Sequence, residues 1–528
     1  MQVLSAAQSR ELDRCAIEDR GIAGSRLMSH AGSAVARIIE RDYPQALAGC
    51  IGILCGGGNN GGDGLVVARW LRDRQVRVRT LVFAPPERLR GDAAAALAQL
   101  RSQLRGRPEP VFIADAAAWA SERQALFGCD LIVDAIFGTG LVHAVKSWIG
   151  EIIADVNRGY SGPVVSIDVP SGMGADGEGP AELPDAAVVR ACQTITFTTP
   201  KRGHYLSVHA DRVGKLEVVP IGIPDDVVNE LGGSLRLTLA ADCRPYIRQR
   251  SRDAHKGKFG HVLVVAGSLG KSGAAVLVST AALRIGAGLV TAAVPRSVLP
   301  IVAAAQPELM TEPLPETDEG RFSAAAVAPE RLEQLLRPAT VLALGPGVTQ
   351  ALESAELVRH LVRSAAVPCV LDADGLNAFA GRLAELRFAR GGILTPHPGE
   401  MARLFAVSTA DVQTRRLYYA QRLAAETGAV AVLKGRFTLI ADPDGSASIN
   451  STGNPGMSTA GSGDVLTGML AGLLGQFPDL PLIDTAAAGV YIHGRCGDTA
   501  AGKWGEMPML AGDLIAALPE ALAGLARA

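Results

Sequence analysis

The stretch Ile51-Gly52-Ile53-Leu54-Cys55-Gly56-Gly57-Gly58-Asn59-Asn60-Gly61-Gly62-Asp63-Gly64 indicates the fold of the first half of the chain. Its apolar run, Ile51–Cys55, is typical of a buried strand, and the apolar pattern over Gly64–Arg74 is typical of a helix. A strand joined to a helix by a glycine-rich turn is the repeating unit of a parallel α/β sheet. In such sheets ligands bind at the strand-to-helix turns, so this turn marks a candidate site.

The same alternation extends along the chain in two blocks. The first block has predicted strands at Val76–Phe83, Leu131–Ala135 and Val164–Ile167, a helix at Ala93–Leu104, and closing strands within 193–223. A polar stretch, 225–253, follows it. The second block has strands at 261–266, 289–294, 341–344, 368–371, 392–395 and 430–433, and helices at 272–285, 463–475 and 483–501. We therefore predict two α/β domains, residues 1–232 and 233–528, the first a Rossmann-like doubly wound sheet.

Length, charge and cysteine content exclude several classes of function. A chain of 528 residues is too long for one core. Its net charge is −2 and it has no basic run, which gives no support to nucleic-acid binding. No apolar run is long enough to span a membrane. Eight scattered cysteines without a Cys-x-x-Cys pair are typical of reduced thiols. We expect a cytoplasmic homo-oligomer that acts on small molecules.

The glycine-rich turn of the first block offers side-chain oxygens and lacks the lysine of a Walker motif. Asn59, Asn60 and Asp63 lie in the turn, and three more polar side chains follow later strands: Asp134, Asp168 and Ser171. An oxygen-only set suits a hard cation, and low charge favours a monovalent one. Either aspartate alone is explained equally well as the cap of a turn. Several such loops at successive strand ends favour a site.

The second block contains Ser458-Thr459-Ala460-Gly461-Ser462-Gly463-Asp464-Val465-Leu466-Thr467-Gly468, a small-residue turn that leads into a helix. Free N–H groups and the helix dipole make such a helix N-terminus an anion site. Asp464 is placed to take a proton from an attacking hydroxyl. The pattern indicates phosphoryl transfer to an alcohol. For the Gly-Ser-Gly-Asp run alone, an N-terminal aspartate on a buried helix is the simpler explanation.

Other strand ends of the second block carry polar or glycine-rich turns. They are Gly267-Ser268, Gly345-Pro346-Gly347, Thr395–Glu400 and Lys434–Thr438. Lys434 is a compact charge suited to a phosphate, and Thr438 can donate a hydrogen bond to one. Each segment alone is explained as an ordinary turn, and His397 between two prolines as a rigid loop residue. Their recurrence in order along the block favours a phosphate site.

Four motifs of the first half resemble the NAD(P)H-hydrate epimerase family: Asn59–Gly64, Asp134–Gly140, Asp168–Gly172 and Lys201–Leu206. The resemblance covers roughly residues 1–224. It implies that the hydrated nucleotide is held by Asn59, Asn60, Gly61, Gly62, Asp63, Gly138, Thr139, Gly140, Leu141, Val142, His143 and Ala144. It further implies potassium at Asn60, Asp134 and Ser171, and Asp168 as the acid or base in contact with substrate. Ser29 departs from the family, which has an acidic residue there.

Residues 240–524 resemble the ADP-dependent NAD(P)H-hydrate dehydratases, which have a ribokinase-like fold; His255–His261 is their usual opening. The resemblance implies that Ala274, Gly347, His397 and Asp464 contact the hydrated dinucleotide, with Asp464 as the base. It implies that ADP with Mg²⁺ is bound by Lys434, Gly435, Arg436, Phe437, Thr438, Gly461, Ser462 and Gly463. Thr349 stands where the family commonly has glycine.

The order of the two resemblances is that of the bifunctional NAD(P)H-hydrate repair enzymes. The first domain would interconvert the R and S epimers of NADH or NADPH hydrated at C6 of the nicotinamide ring. The second would phosphorylate the S epimer from ADP and eliminate phosphate, which regenerates the dinucleotide. Two alternatives stay open: a ribokinase-like small-molecule kinase with a regulatory or ligand-binding first domain, and a binding protein without catalysis.

Overall fold

The computed structural model describes residues 1–102, 109–145, 148–178 and 187–527. They divide into two compact units, Gln2–Gly233 and Ser234–Ala528, with Met1 grouped with the second. We call these the first and the second unit. Within the described residues, no helix combines the length and the apolar character needed to cross a bilayer.

The first unit is built around one seven-stranded sheet. Its strands are β1 Cys50–Cys55, β2 Arg77–Val82, β3 Val111–Phe112, β4 Leu131–Ala135, β5 Val164–Ile167, β6 Gln193–Phe197 and β7 Lys215–Val219. Their spatial order is β3-β2-β1-β4-β5-β6-β7, with parallel pairing throughout. Its helices are α1 Ala6–Arg14, α2 Gly24–Asp42, α3 Asn59–Asp73, α4 Gly91–Ser102, α5 Ala116–Phe127, α6 Trp148–Gly159, α7 Gly203–Leu206 and α8 Asp225–Leu231.

The central strands of this sheet are apolar on both sides because helices cover both faces. Ile53 and Cys55 of β1 join one hydrophobic cluster, together with Leu65 of α3. Leu54, between them, joins a second cluster with Ile153 of α6. Successive side chains of a strand point to opposite faces, so a continuous apolar run predicts a strand covered on both sides.

The second unit contains a ten-stranded sheet. Its strands are β8 Leu235–Leu237, β9 His261–Val265, β10 Leu289–Pro295, β11 Met310–Leu314, β12 Val341–Leu344, β13 Cys369–Leu371, β14 Gly392–Leu394, β15 Val430–Leu433, β16 Leu439–Ala441 and β17 Ala447–Ile449. Their order is β11-β10-β9-β12-β13-β14-β15-β16-β17-β8. Pairing is parallel except where β16 meets β15 and β17.

The helices of the second unit lie between and after these strands. They are α9 Ser272–Ile285, α10 Leu299–Ala305, α11 Pro329–Leu336, α12 Leu352–Ser364, α13 Asp374–Asn377, α14 Pro398–Phe405, α15 Thr409–Thr414, α16 Arg416–Thr427, α17 Ser462–Gln476, α18 Leu482–Trp504 and α19 Ala511–Arg527. Helix α17 is almost wholly buried from Val465 onward and packs against α9.

The predicted α/β fold class is confirmed, and three details differ from the prediction. Helix α3 begins at Asn59 rather than Gly64, so the asparagine-rich run is its first turn. The stretch 225–253 contains α8 and β8 and is not purely irregular; a three-residue strand is too short to show a periodicity. Helix α4 starts earlier than predicted, at Gly91, and predicted helix residues 103 and 104 lie outside the described residues.

In both sheets the strand order reverses between two inner strands that are distant in sequence. The reversal lies between β1 and β4 in the first unit and between β9 and β12 in the second. Loops that follow the two strands at such a point diverge and leave a crevice at their carboxyl ends. The glycine-rich turn of the first unit follows β1, and the turns Gly267-Ser268 and Gly345-Pro346-Gly347 follow β9 and β12.

Candidate functional site

A cleft of about 740 Å³ opens at the carboxyl ends of the first unit's strands. The predicted site residues that line it are Asn59, Asn60, Asp63, Gly138, Thr139, Gly140, Leu141, Val142, His143 and Asp168. Gly61, Gly62 and Ala144 do not line it. Ala144 packs against a hydrophobic cluster, and Gly61 serves packing because a Cβ there would lie 1.9 Å from the carbonyl oxygen of Gly56.

Asp134, at the end of β4, joins two of the loops beneath this cleft. The fully buried carboxylate accepts hydrogen bonds from Ser166 Oγ at 2.8 Å, Ser171 N at 2.8 Å and Ser171 Oγ at 2.5 Å. Ser171 Oγ in turn accepts one from Phe137 N at 2.9 Å. Burial raises the pKa of Asp134, and these hydrogen bonds oppose that rise. The network fixes the loop after β4 against the loop after β5.

The three predicted potassium ligands form a set that fits a monovalent cation. The amide nitrogen Nδ2 of Asn60 donates to the carbonyl oxygen of Phe137 at 2.9 Å, while Oδ1 is buried without a hydrogen-bond partner. An unsatisfied buried oxygen is costly, and a cation would offset that cost. Asp134 and Ser171 add oxygens, with a single carboxylate among them. Within the described residues no group of three His, Cys, Asp or Glu side chains is placed to hold a metal ion.

Asp168, after β5, is held as a charged group in the cleft wall. Its backbone has a φ of +64°, an uncommon conformation that is costly outside glycine. Lys201 Nζ lies 2.7 Å from Asp168 Oδ1, and Thr196 Oγ1 donates to the same oxygen at 2.9 Å. Burial acts to raise the pKa of Asp168, but Lys201 outweighs it and the net pKa is lowered. Asp168 is therefore an ionised carboxylate at neutral pH.

His204 supports the Asp168 backbone as a neutral ring. Its Nδ1 accepts from Lys201 N at 3.1 Å, so its Nε2 is the donor to the carbonyl oxygen of Asp168 at 2.8 Å. Burial, with Lys201 adding, lowers the pKa of His204 to about 4. The ring thus positions the strained residue and carries no charge at neutral pH.

Two further carboxyl groups line the same cleft and have higher proton affinity. Burial raises the pKa of Asp63 well above its usual range, and the nearby charges of Asp168 and Asp13 add to the rise. Solvent reaches Asp13 through the cleft, yet the protein atoms around its carboxyl raise its pKa to about 6. Lys201 forms an ion pair with Asp168. The charge of the same lysine also acts to lower the pKa values of Asp13 and Asp63.

In the second unit, Asp464 is the third residue of α17. The residue before the helix, Gly461, has a φ of +88°, which only glycine adopts easily. Burial raises the pKa of Asp464 to about 7; the charge of Asp372 adds to the rise and Lys434 opposes it. A carboxyl group with this pKa exchanges protons readily near neutral pH, as a general base requires.

Lys434, after β15, is bound to a carboxylate that sequence reasoning missed. Its Nζ lies 2.7 Å from Oδ1 of Asp372, a residue only 1% exposed at the end of β13. Thr467 Oγ1 of α17 donates to the other oxygen of Asp372 at 2.8 Å. Burial acts to lower the pKa of Lys434, but Asp372 and Glu400 outweigh it and the net pKa is raised. Lys434 therefore stays charged beside the α17 N-terminus.

A cavity of about 460 Å³ lies at this helix N-terminus. Four of the predicted site residues, Ala274, Gly347, Gly461 and Asp464, line it together with Lys271, Asp374 and Glu400. His397 does not line it. His397 precedes α14 as its cap, because its Nδ1 accepts hydrogen bonds from Gly399 N at 3.0 Å and Glu400 N at 3.3 Å. The structure thus gives His397 a local role that needs no ligand.

The predicted nucleotide loop Lys434–Thr438 lies beside the same helix. A Cβ on Gly463 would be 3.3 Å from Lys434 Nζ, which shows that the loop and the helix N-terminus are adjacent. Thr438 Oγ1 donates to the carbonyl oxygen of Gly435 at 2.9 Å, and residues Gly435 and Arg436 are exposed. Arg416 Nη1 donates to the carbonyl oxygen of Arg436 at 2.9 Å and holds the loop.

Comparison with known proteins agrees with this geometry. The family "YjeF-related protein N-terminus" matches residues 24–203, and the family "NAD(P)H-hydrate dehydratase" matches residues 262–520. A bifunctional NAD(P)H-hydrate repair enzyme of Moorella thermoacetica is 44% identical over 99% of this chain and 97% of its own length. This chain belongs to that family. The Escherichia coli enzyme of the same name is 34% identical over 96% of this chain and 92% of its own.

Solved structures match the second half. The ADP/ATP-dependent NAD(P)H-hydrate dehydratase of Bacillus subtilis, co-crystallised with ATP and Mg²⁺, is 31% identical and covers 55% of this chain and 98% of its own, with a TM-score of 0.49. The family predicted from the motifs of both halves is confirmed by the full-length relatives.

Two residues, Thr349 and Ser29, depart from the family pattern. Thr349 has a φ of +72°, a conformation that glycine adopts freely and a β-branched residue does not. It is held there because its N–H donates to Asp374 Oδ2 at 3.1 Å and its hydroxyl lies 3.3 Å from Ser354 Oγ. Ser29, in α2, is not among the residues that line the first unit's cleft.

Sequence reasoning missed Asp13, Asp372 and the role of Lys201. Lys201 lies in one of the quoted motifs, Lys201–Leu206. Its positive charge, in a block whose strand ends carry Asp134 and Asp168, was the signal available in the sequence. Asp372 follows an apolar strand directly, as Asp168 does, and the same interpretation applies to it. Asp13 is one of two acids on a charged surface helix, and nothing in its neighbours distinguishes it.

Proposed function

We propose that this chain repairs NADH and NADPH that have been hydrated at C6 of the nicotinamide ring. The first unit interconverts the R and S epimers, and the second converts the S epimer to NAD(P)H while ADP becomes AMP and phosphate. The observation that carries this proposal is Asp464: a carboxyl group with a pKa of about 7, facing a cavity at a helix N-terminus. A base and an anion site in contact suit phosphorylation of an alcohol.

In the second unit the reaction begins with transfer of the C6 hydroxyl proton to Asp464. The resulting oxygen attacks the terminal phosphorus of ADP, and the bond from that phosphorus to the AMP oxygen breaks. Backbone N–H groups of Gly461–Gly463 stabilise the charge on the transferring group, and Lys434 lies beside them. Phosphate then leaves C6, the lone pair of the ring nitrogen assists its departure, and loss of a C5 proton forms the double bond.

Magnesium bound to ADP would screen the phosphate charge in this cavity. The carboxylates of Asp374 and Glu400 line the cavity and are the type of oxygen ligand that magnesium prefers. The neutral cap residue His397 offers it no such ligand. Proton transfer and charge stabilisation are the tasks of Asp464, Lys434 and the helix N-terminus.

In the first unit, the ionised Asp168 is the base, and it lines the same cleft as the predicted substrate loops. Potassium held by Asn60, Asp134 and Ser171 would fix the first turn of α3 against the loop after β4 and screen the phosphates of the dinucleotide. The strained backbone of Asp168, braced by His204, keeps its carboxylate directed into the cleft.

The decisive experiment supplies the purified chain with a mixture of R and S hydrates and ADP, and follows the dihydronicotinamide absorbance. We expect complete conversion, with AMP and phosphate formed in equal amounts. Accumulation of a phosphorylated dinucleotide would instead indicate a kinase, and saturable binding without turnover would indicate a binding protein.

The division of labour is tested with the halves expressed separately. Residues 1–232 should epimerise the hydrate without nucleotide, and residues 233–528 should consume only the S epimer. Rapid consumption of both epimers by the second half alone would contradict an epimerase role for the first. We further propose a cytoplasmic homo-oligomer, and light scattering of the purified chain tests the oligomeric state.

A further inference from the structure

Helix α1 forms part of the wall of the first unit's cleft, although no role was predicted for it. Ser9 and Asp13 lie four residues apart on this helix and both line the cleft. Residues with that spacing share a helix face. Ser9 is only 8% exposed, and its buried hydroxyl has no hydrogen-bond partner in the described part of the chain. A buried, unsatisfied hydroxyl facing a cleft points to a polar ligand group beside it.

The charged groups around Asp13 leave its carboxyl without a cation partner. Arg10, Asp63, Asp92, His143, Asp168 and Lys201 line the same cleft. Lys201 is committed to Asp168, and within the described residues no ion pair or hydrogen bond engages the Asp13 side chain. The protein surroundings raise the pKa of Asp13 to about 6, Lys201 opposes that rise and Asp168 adds to it. The cleft thus holds one acid kept ionised and another that is protonated much more readily.

We propose that Asp13 is a second catalytic residue of the epimerisation, which exchanges a proton with the C6 hydroxyl on one face of the ring while Asp168 serves the other face. This inference rests on the epimerase function proposed above and goes beyond it. Two acids with separated proton affinities are what an inversion needs, because one group must donate a proton while the other accepts one.

In one direction the epimerisation has two steps, loss of water from C6 and addition of water to C6. The carboxyl proton of Asp13 moves to the C6 hydroxyl, the C6–O bond breaks, and water leaves while the lone pair of ring nitrogen N1 forms a C6=N1 double bond. A second water adds to the opposite face of C6, the double-bond electrons return to N1, and Asp168 takes the proton of that water. The net change is inversion at C6 and transfer of one proton from Asp13 to Asp168. The reverse reaction returns the proton.

The test uses the full chain with pure S hydrate in the absence of nucleotide, and measures R hydrate formed over time. We expect Asp13→Asn to lower the epimerisation rate by about 10²–10⁴, the usual contribution of one acid–base group. Glu11→Gln is the matched control, because Glu11 lies on the same helix but pairs with Arg14 at the surface. That control should stay within about twofold of the unsubstituted chain, and both variants should keep ADP-dependent dehydration of the S hydrate.

The pH profile separates proton transfer from a structural role. Because Asp13 must be protonated when Asp168 is ionised, kcat/KM for epimerisation should fall as the pH rises past about 6. Asp13→Asn should lack that alkaline limb. If circular dichroism shows that Asp13→Asn disturbs the fold, the test uses Asp13→Glu, which keeps the carboxyl group. A shift of the alkaline limb of the pH profile in that variant supports the proposal.

Epimerisation by Asp13→Asn within about twofold of the unsubstituted rate would overturn the inference, as would an Asp13→Glu variant with rate and limb unchanged. The epimerase proposal itself fails only if the unsubstituted chain does not form R hydrate.

Discussion

Both units contain a lysine–aspartate ion pair, but only in the first unit does the paired aspartate line the cleft. Each has a lysine paired with a carboxylate: Lys201 pairs with Asp168 and Lys434 pairs with Asp372. In the first unit the paired carboxylate itself lines the cleft. In the second, Asp372 does not line the cavity; Asp464, with a pKa of about 7, lines it together with Asp374 and Glu400. The partner of the lysine thus lies in the cleft wall in one unit and is buried outside the cavity lining in the other.

Proximity to a lysine does not by itself mark the reactive acid. An acid that must be ionised at all times benefits from a salt bridge, whereas a base for an alcohol proton benefits from a pKa near the working pH. The predictions below test whether the two arrangements carry these separate tasks.

The largest effect is expected for Asp464→Asn. It should lower dehydration by about 10²–10⁴ while epimerisation is unchanged, because the base is removed from one site only. In the unsubstituted chain, kcat/KM for dehydration should fall as the pH drops below about 7, since Asp464 then binds a proton. Assays of both activities on one preparation check this, with the exposed Asp479→Asn as control. Equal loss of both activities would contradict the two-site comparison.

Removal of the lysine should destabilise each unit. Lys434→Met leaves Asp372 buried and unpaired, which costs about 3–5 kcal/mol. Hydrogen exchange by mass spectrometry should show the loss of protection in β15 and α17. Adding Asp372→Asn should restore most of the stability, because Asn can still accept from Thr467 without an unpaired charge.

Lys201→Met is the counterpart in the first unit, with protection lost in β5 and β6. The surface lysine Lys258, paired with the exposed Asp253, is the control, and Lys258→Met should cost less than about 1 kcal/mol. If Lys434→Met also costs less than about 1 kcal/mol, the role of Asp372 as a buried anchor is refuted.

Potassium should matter more to the first unit than to the second. Replacing it with tetramethylammonium should slow epimerisation about tenfold or more, equivalent to about 1.4 kcal/mol, because Asn60 Oδ1 then has no partner. Dehydration of the S hydrate is the internal control. Epimerisation that proceeds equally fast without potassium would argue against the oxygen set at Asn60, Asp134 and Ser171.

The smallest effect concerns the strained loop of the second unit. Thr349→Gly should raise the free energy of unfolding by about 1 kcal/mol, since relief of the positive φ outweighs the added freedom of glycine in the unfolded chain. Urea denaturation measures it. Thr349→Ala keeps the strain and loses the hydroxyl contacts, so it should be less stable than the glycine variant. The opposite order would show that the conformation carries no cost.

Much of the fold and part of the site could be predicted from local patterns. Apolar runs such as Leu131–Ala135 predict strands buried on both faces, and the glycine-rich turns after them mark the carboxyl edge of the sheet. Asn60, Asp134, Asp168 and Asp464 were found because each directly follows or begins a regular element. Asp13 and β8 could not be predicted in this way. Asp13 lies on a surface helix far in sequence from any such turn, and β8 is only three residues long.

Short-range patterns and motifs specify which elements form, where the polar turns lie, and which family the chain belongs to. Which acids are paired with a lysine, and which line a cleft, depends on the tertiary structure. Lys434 pairs with Asp372 across 62 residues of sequence, and Asp13 comes from a helix that reaches the cleft through packing alone. A pKa is set by burial and by neighbouring charges in space, and neither can be counted along the chain.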